Sequence, residues 1–235
     1  MLKRIEMMEV EYLSMNTEKL LGRALNDIEM KYSPKLLYVK GSMEIPLPCP
    51  RVSIIGSRKA SPNGLADAKK IARTLIENQT VIVSGLAEGI DTVAHQTAIN
   101  MKGRTIAVIG TPLNKVYPRK NFELQQEIMN NHLVISQFPI GNPTTPKDFV
   151  LRNRTMALIS DATVIVEAGD TSGSLHQGWE TLRLGRPLFI CESVVNDTQL
   201  SWPKKMIEYG AMKLDEPTDI LENLPSNIKM PELFQ

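Results

Sequence analysis

Short runs of β-branched and aliphatic residues recur along this chain from residue 51 onward. They fall at 52–56 (VSIIG), 80–85 (TVIVSG), 105–110 (TIAVIG), 133–138 (LVISQF), 162–168 (ATVIVEA) and 187–193 (PLFICES). The runs are apolar nearly throughout, as strands covered on both faces should be, and do not alternate as half-exposed strands do. Between them lie helix-patterned segments: GLADAKKIARTLIEN, TVAHQTAINMKG, NFELQQEIMNN, DFVLRNRTMALIS and SLHQGWETLRLG. Strand–helix–strand with short links calls for right-handed crossovers and a mainly parallel sheet. The pattern predicts a doubly wound α/β fold with helices on both faces of the sheet.

The two ends read differently. Residues 1–34 (MLKRIEMMEVEYLSM, then TEKLLGRALNDIEMKY) carry apolar positions at mixed three-and-four spacing and predict a helical lead-in. SPKLLYVKG predicts a short strand, and the proline-rich connector IPLPCP a boundary, because proline supplies no ladder donor. SWPKKMIEYGAMKL and EPTDILENL predict a helix, a short edge strand and a closing helix. The division expected is a lead-in over 1–34, an α/β domain over 35–224 and a tail over 225–235.

Composition narrows the function classes only a little. A hydrophobic fraction of 42% in 235 residues supports a full core. The net charge of +1 means that a polyanion, if bound, must meet a local cluster of Lys and Arg. Cys49 and Cys191 have no metal-like spacing and read as buried or incidental thiols, so no metal site is expected; no cofactor is expected either. No run approaches a membrane span and the charged start lacks a secretory core, so a cytoplasmic location is expected.

Ligands of doubly wound sheets bind at the carboxyl ends of the strands. Gly56-Ser57-Arg58 follows the first run, where turning amides, a helix dipole and a guanidinium can face a phosphate. The dinucleotide pattern G-x-G-x-x-G is absent, which disfavours classical NAD binding. Ser84-Gly85-Leu86-Ala87-Glu88-Gly89 is a candidate oxyanion nest, followed by Asp91 and His95 on one helical face. A catalytic Asp–His pair needs a nucleophile or metal that nothing nearby supplies; a polar pair fixing the loop is the alternative. Tyr117, beside Arg119 and Lys120, can stack on a base or pack beneath its loop. Lys147, Phe149, Arg152, Asn153 and Arg154 interleave cations with an aromatic, a pattern suited to single strands; salt bridges to Glu167 or Asp170 are the alternative. Ser172, Gly173 and Ser174 offer donors at a helix start without the Lys-Ser/Thr of a P-loop, so ATP hydrolysis is unsupported. His176 and Trp179 follow as secondary candidates, with Trp179 equally able to pack on Leu182.

These residues, in this order, resemble the DNA-processing protein A (DprA, or Smf) family. The resemblance runs through Gly56-Ser57-Arg58, Ser84 to Asp91 with Ala94-His95, Val116-Tyr117-Pro118, Phe149-x-x-Arg152-Asn153-Arg154 and Val166-Glu167-Ala168. It continues through Ser172-Gly173-Ser174-Leu175, Gly185-Arg186-Pro187, Tyr209-Gly210-Ala211 and Asp219-Ile220-Leu221, over roughly 35–224. The resemblance implies an extended Rossmann-like fold, a homodimer, and binding of single-stranded DNA without cleavage. It also implies work in natural transformation, by protecting incoming strands and aiding loading of the RecA recombinase. By the same token Arg58 is expected to contact DNA, Lys147 to Phe149 and Arg152 to Arg154 to line a basic pocket, and Ser172 to Ser174 to seat a phosphate. The chain departs from the family at Leu175-His176-Gln177-Gly178-Trp179-Glu180, which replaces a small Thr-Ala-rich helix start, and at Cys191-Glu192-Ser193, where Pro-Gly is usual. A winged-helix domain and a full helical N-terminal domain have no counterpart, so a short or divergent member is expected.

Two rival readings remain at this point. One is an enzyme of the related LOG or lysine-decarboxylase-like group, cleaving nucleoside monophosphates, with Glu180 and Arg186 near a loosely similar Thr171–Ser174 loop. The other is a partner-recruiting scaffold with a vestigial groove.

Overall fold

The computed structural model of the chain describes residues 11–225; the helical pattern over 1–10 and the tail beyond 225 lie outside the described residues. Nine strands form one sheet: β1 (Leu13–Met15), β2 (Leu37–Gly41), β3 (Arg51–Gly56), β4 (Val81–Ser84), β5 (Thr105–Ile109), β6 (Leu133–Ser136), β7 (Ala162–Glu167), β8 (Leu188–Cys191) and β9 (Met212–Leu214). The helices are α1 (Thr17–Leu21), α2 (Asp27–Met30), α3 (Pro62–Glu77), α4 (Ile90–Asn100), α5 (Phe122–Asn131), α6 (Pro146–Ile159), α7 (Ser174–Arg183), α8 (Glu192–Val195), α9 (Trp202–Glu208) and α10 (Asp219–Glu222).

The strand order is β1-β2-β6-β5-β4-β3-β7-β8-β9. Every pair from β6 across to β9 is parallel, while β1–β2 and β2–β6 are antiparallel. The chain enters mid-sheet at β3, moves outward through β4, β5 and β6, then crosses back to β7 and proceeds the other way. The adjacent strands β3 and β7 therefore form the switch point, where the connections diverge to opposite faces and leave a crevice.

Burial explains the apolar runs. Along β4, Val81 and Val83 join a core with Ile106, Ile165, Met156 and Ile159 under α6, while Ile82 joins Ile54, Val164, Ile71 and Leu75 under α3. Successive side chains point to opposite faces and both faces are covered. A third cluster seats Ile128 and Met129 of α5 on Ala107, Ile109 and Val134. The doubly wound fold with helices on both faces is as expected.

The N-terminal expectation needs correction. Residues 13–15 are a strand, paired through Leu13↔Val39 and Met15↔Leu37, and not part of a helix. Three residues carry no readable period, and pairing with β2 decides their state. The connector IPLPCP links β2 to β3 of the same sheet and does not divide two bodies. The short helices that follow β1 have strong local signals. Asn16 caps α1 by accepting from Lys19, and Asn26 and Glu29 form a reciprocal capping box on α2. Glu29 also anchors this segment to the body. It accepts from Arg23 at 2.6 Å and from Arg186 at 2.7 Å. The Arg23 hydrogen bonds, with those from Asn26 and Arg186, outweigh burial and hold its carboxyl down at about 2.

Candidate functional site

A cavity of about 970 Å³ opens at the carboxyl ends of β3 and β7. The loop after β3 supplies Gly56, Ser57, Arg58 and Lys59; α6 and the segment before it supply Thr144, Phe149, Arg152 and Asn153. Ser172, Gly173, Ser174, His176 and Gln177 close it from the start of α7, and Asp91 and Tyr117 complete the wall. A smaller recess of about 50 Å³ adjoins it, bounded by Tyr117, Phe149, Arg58, Arg152, Gly85 and Glu88.

The local backbone explains how these groups arrive. Gly56 ends β3 so close to its neighbours that a Cβ there would lie 2.7 Å from Ile90 and 2.9 Å from the Glu167 carbonyl. Ser61 caps α3 by accepting from Gly64, and Glu167, at the end of β7, accepts from the Ser61 hydroxyl at 2.6 Å. That bond ties the loops after the two central strands to each other. The Phe149 ring packs on Gly110, where a Cβ would lie 2.7 Å from it, and meets Tyr117 at 5.2 Å between ring centroids. Asn153 donates to the Gly173 carbonyl at 3.0 Å and fixes the entry to α7.

The electrostatics are uneven. Arg58, Lys59 and Arg152 face the large cavity against one carboxylate, Asp91. Arg58 is exposed, and no carboxylate among the described residues pairs with it. Arg152 is buried beside Asp91, with Nη1 to Oδ2 at 3.9 Å. That distance is at the limit of an ion pair. Burial, and then the nearby Arg58 charge, push the Arg152 guanidinium down, while Asp91 supports it. Burial also pushes Asp91 up, against the pull of Arg152. Two guanidiniums share one mouth, an arrangement that an anion between them would relieve.

Several predicted groups take other roles. The nest at Ser84–Gly89 already holds an oxyanion: the Gly85 and Ala87 amides both donate to Asp91 at 3.2 Å. Ser84 is fully buried and donates to the Ile54 carbonyl at 2.6 Å. Neither Ser84 nor Gly85 therefore offers a donor to a ligand, although Gly85 makes room for Arg152. Asp91 does not bond His95, which instead meets Thr105 at 2.7 Å in the core and is pushed down to about 3, chiefly by burial. Arg154 points away from the cavity and lies over the Tyr32 ring, 4.5 Å from its centroid. Neither Arg152 nor Arg154 pairs with Glu167 or Asp170; the latter accepts from Ser201. Lys147 is exposed on the first turn of α6 and does not line the cavity. Trp179 packs edge-on to Tyr209 at 5.4 Å and does not line the cavity.

The glycosidic-cleavage reading loses its carboxylate here. Glu180 is buried in an ion pair with Arg183 at 2.5 Å, and Arg186 donates to carbonyls of α6 and to Glu29. Among the described residues no His, Cys, Asp and Glu cluster could hold a metal, and no helix is long and apolar enough to cross a membrane.

Sequence reasoning missed Lys59, Thr144 and Gln177. Lys59 was adjacent to a named cation. Gln177 stands three residues after Ser174, on the same face of α7, so its helical phase was the available signal.

The model of the DNA recombination-mediator protein A family matches residues 14–225. A DNA processing protein DprA of Streptococcus pneumoniae is 38% identical over 193 residues, 82% of this chain and 68% of that protein. The X-ray structure of DprA from the same organism superposes with a TM-score of 0.77 at 32% identity, covering 92% of this chain and 75% of that one. DNA processing protein A from Helicobacter pylori, whose single-stranded DNA binding mode its structure addresses, superposes at 0.76 with 26% identity over 91% of this chain and 95% of its own. The departures at Leu175–Glu180 and Cys191–Ser193 lie inside the matched region. The chain therefore belongs to the DNA recombination-mediator protein A family of DNA-processing proteins.

Proposed function

We propose that this chain binds single-stranded DNA in the crevice between the ends of β3 and β7. The observation that carries the reading is the meeting of Arg58, which lacks an acidic partner among the described residues, and the under-compensated Arg152 beside the Tyr117–Phe149 aromatic pair. Phosphates take the guanidiniums, with Ser57, Ser172 and Ser174 as hydroxyl donors at the same cavity. Bases stack on the aromatic pair, which is indifferent to sequence because every base has a π-face. Asp91 and Asn153 hold the loops in place and do not take part in the contact. The family resemblance extends the reading to a homodimer that shields incoming strands and helps load RecA during DNA uptake and recombination.

The test is fluorescence anisotropy with labelled oligo-dT across a salt series. On a single strand log Kd should vary with log salt by about 0.7 per phosphate neutralised. Replacing Arg58 with Ala should weaken binding and lower the slope by about 0.7, the value for one lost phosphate contact. An unchanged affinity in Arg58→Ala/Arg152→Ala, with the fold intact by circular dichroism, defeats the reading.

A further inference from the structure

The outer surface of α6 and α7 carries cations that the crevice does not use. Lys147 and Arg154 stand on α6, and His176 and Arg183 on α7. In each pair the spacing is close to two full helical turns, so the two residues share one stripe of their helix. Both stripes begin at the mouth of the cavity: Lys147 falls between Pro146 and Phe149, which line it, and His176 lines it directly. They end together at Tyr32. The Arg154 guanidinium lies 4.5 Å and the Arg183 guanidinium 4.7 Å from the centre of its ring, and the Lys31 ammonium lies 5.4 Å away. None of Lys31, Tyr32, Arg154 and Arg183 lines the cavity.

Packing explains only part of this convergence. Arg183 is answered by Glu180 at 2.5 Å and donates to the Ile28 carbonyl at 2.9 Å, which ties α2 to the body. Arg154 has no such partner. Half-buried over the ring, it makes neither an ion pair nor a hydrogen bond among the described residues. A guanidinium resting on a ring keeps its N–H fork open to a phosphate. The carboxylates of the two helices, Asp148 and Glu180, are both buried, so the stripes meet solvent as positive charge. Tyr32, 41% exposed, closes them with an aromatic. From Lys147 to Arg154 is about 10 Å along the helix. A stacked strand, at roughly 3.4 Å per phosphate, covers that distance with about three nucleotides.

We infer that the outer face of α6 and α7 is a second contact surface for the single strand. On leaving the crevice the strand runs past Lys147 and lays phosphates on Arg154 and Lys31, which the Tyr32 ring holds side by side. The inference rests on the single-strand reading above and adds to it a surface outside the cavity. Charge complementarity and continuity with the crevice mouth select the strand as its occupant.

The experiment is anisotropy on the full chain with oligo-dT of about 5 nucleotides, enough for the crevice, and of about 20, enough for both surfaces. One neutralised phosphate on a single strand contributes about fivefold in affinity between about 1 M and about 0.1 M salt, from the slope of about 0.7. Arg154→Gln should therefore weaken the long strand about fivefold at about 0.1 M salt and lower its slope by about 0.7, leaving the short strand unchanged. Lys31→Gln, at an exposed position, should do the same, and is the arm that decides if Arg154→Gln fails to fold. Long-strand affinity unchanged in the folded variants overturns the inference. So does an equal loss at both lengths, which would place the effect in the crevice or the fold. A poly-glutamate peptide whose binding Arg154→Gln abolishes while the long strand is unaffected overturns it too, and assigns the surface to an acidic protein. Failure of the parent reading shows separately, as Arg58→Ala without effect at either length.

Discussion

The Gly85→Ala substitution tests the geometry of the buried pair most directly. A Cβ at this position would lie 1.2 Å from Nη1 and 2.4 Å from Cζ of Arg152, and 2.8 Å from Oδ2 of Asp91. Carbon and nitrogen without a bond between them need about 3.5 Å, so the guanidinium has to retreat by about 2 Å. The Nη1–Oδ2 separation then grows from 3.9 Å to about 6 Å. At an effective dielectric constant of about 20 the attraction falls from about 4.3 to about 2.8 kcal/mol, a loss of roughly 1.5 kcal/mol. Overpacking around a buried side chain adds about 1 kcal/mol or more. A total near 2–3 kcal/mol corresponds to a Tm lower by roughly 5–10 °C for a domain of this size. Scanning calorimetry or thermal circular dichroism reads that shift, and anisotropy with oligo-dT reads the accompanying loss of affinity. The decisive arm is the Arg152→Ala background, where the obstructing guanidinium is gone and Gly85→Ala should cost less than half as much. An equal cost in both backgrounds would show that Gly85 acts through its own backbone and not by making room for Arg152.

Two further predictions concern the frame of the site. Gly89 has φ +76°, and a Cβ there would lie 2.3 Å from the Ser57 carbonyl oxygen; Gly89→Ala should lower stability by about 1–3 kcal/mol and displace the Arg58 loop, weakening oligo-dT binding, whereas Gly173→Ala, whose Cβ meets nothing within 4 Å, should leave thermal stability unchanged. Glu29 is held at about 2 against an ordinary 4.5, chiefly by its hydrogen bonds from Arg23, so its stabilisation is present above pH 4.5 and is lost as pH falls towards 2. Glu29→Gln should therefore cost on the order of 3 kcal/mol in urea unfolding at pH 7, with the difference from the unaltered protein shrinking as pH is lowered through 4; a gap that stays constant with pH would show that ionisation is not what Glu29 contributes.

The sequence alone determined the parallel strands of the sheet and where a candidate site would lie. Residues such as Val81, Ile82 and Val83 are apolar in succession because both faces of β4 are covered, and that requirement is written locally. The glycines, hydroxyls and cations after each strand were legible for the same reason: strand ends and helix starts demand particular backbone chemistry wherever they occur. Tertiary structure alone decided which of those groups face the crevice. Arg152 and Arg154 stand two positions apart on α6, about 200° around the helix, so only one of them can point inward. The packing of α6 against the sheet and α7 selected Arg152 and gave Arg154 to Tyr32. The nest at Ser84–Gly89 was equally suited to a ligand or to an internal acid until the fold put Asp91 against its amides. Residues 13–15 became a strand through their neighbour, because three residues hold too few positions for a pattern, whereas β2 supplies a ladder. Local chemistry fixes what a segment can do; long-range packing fixes what it faces.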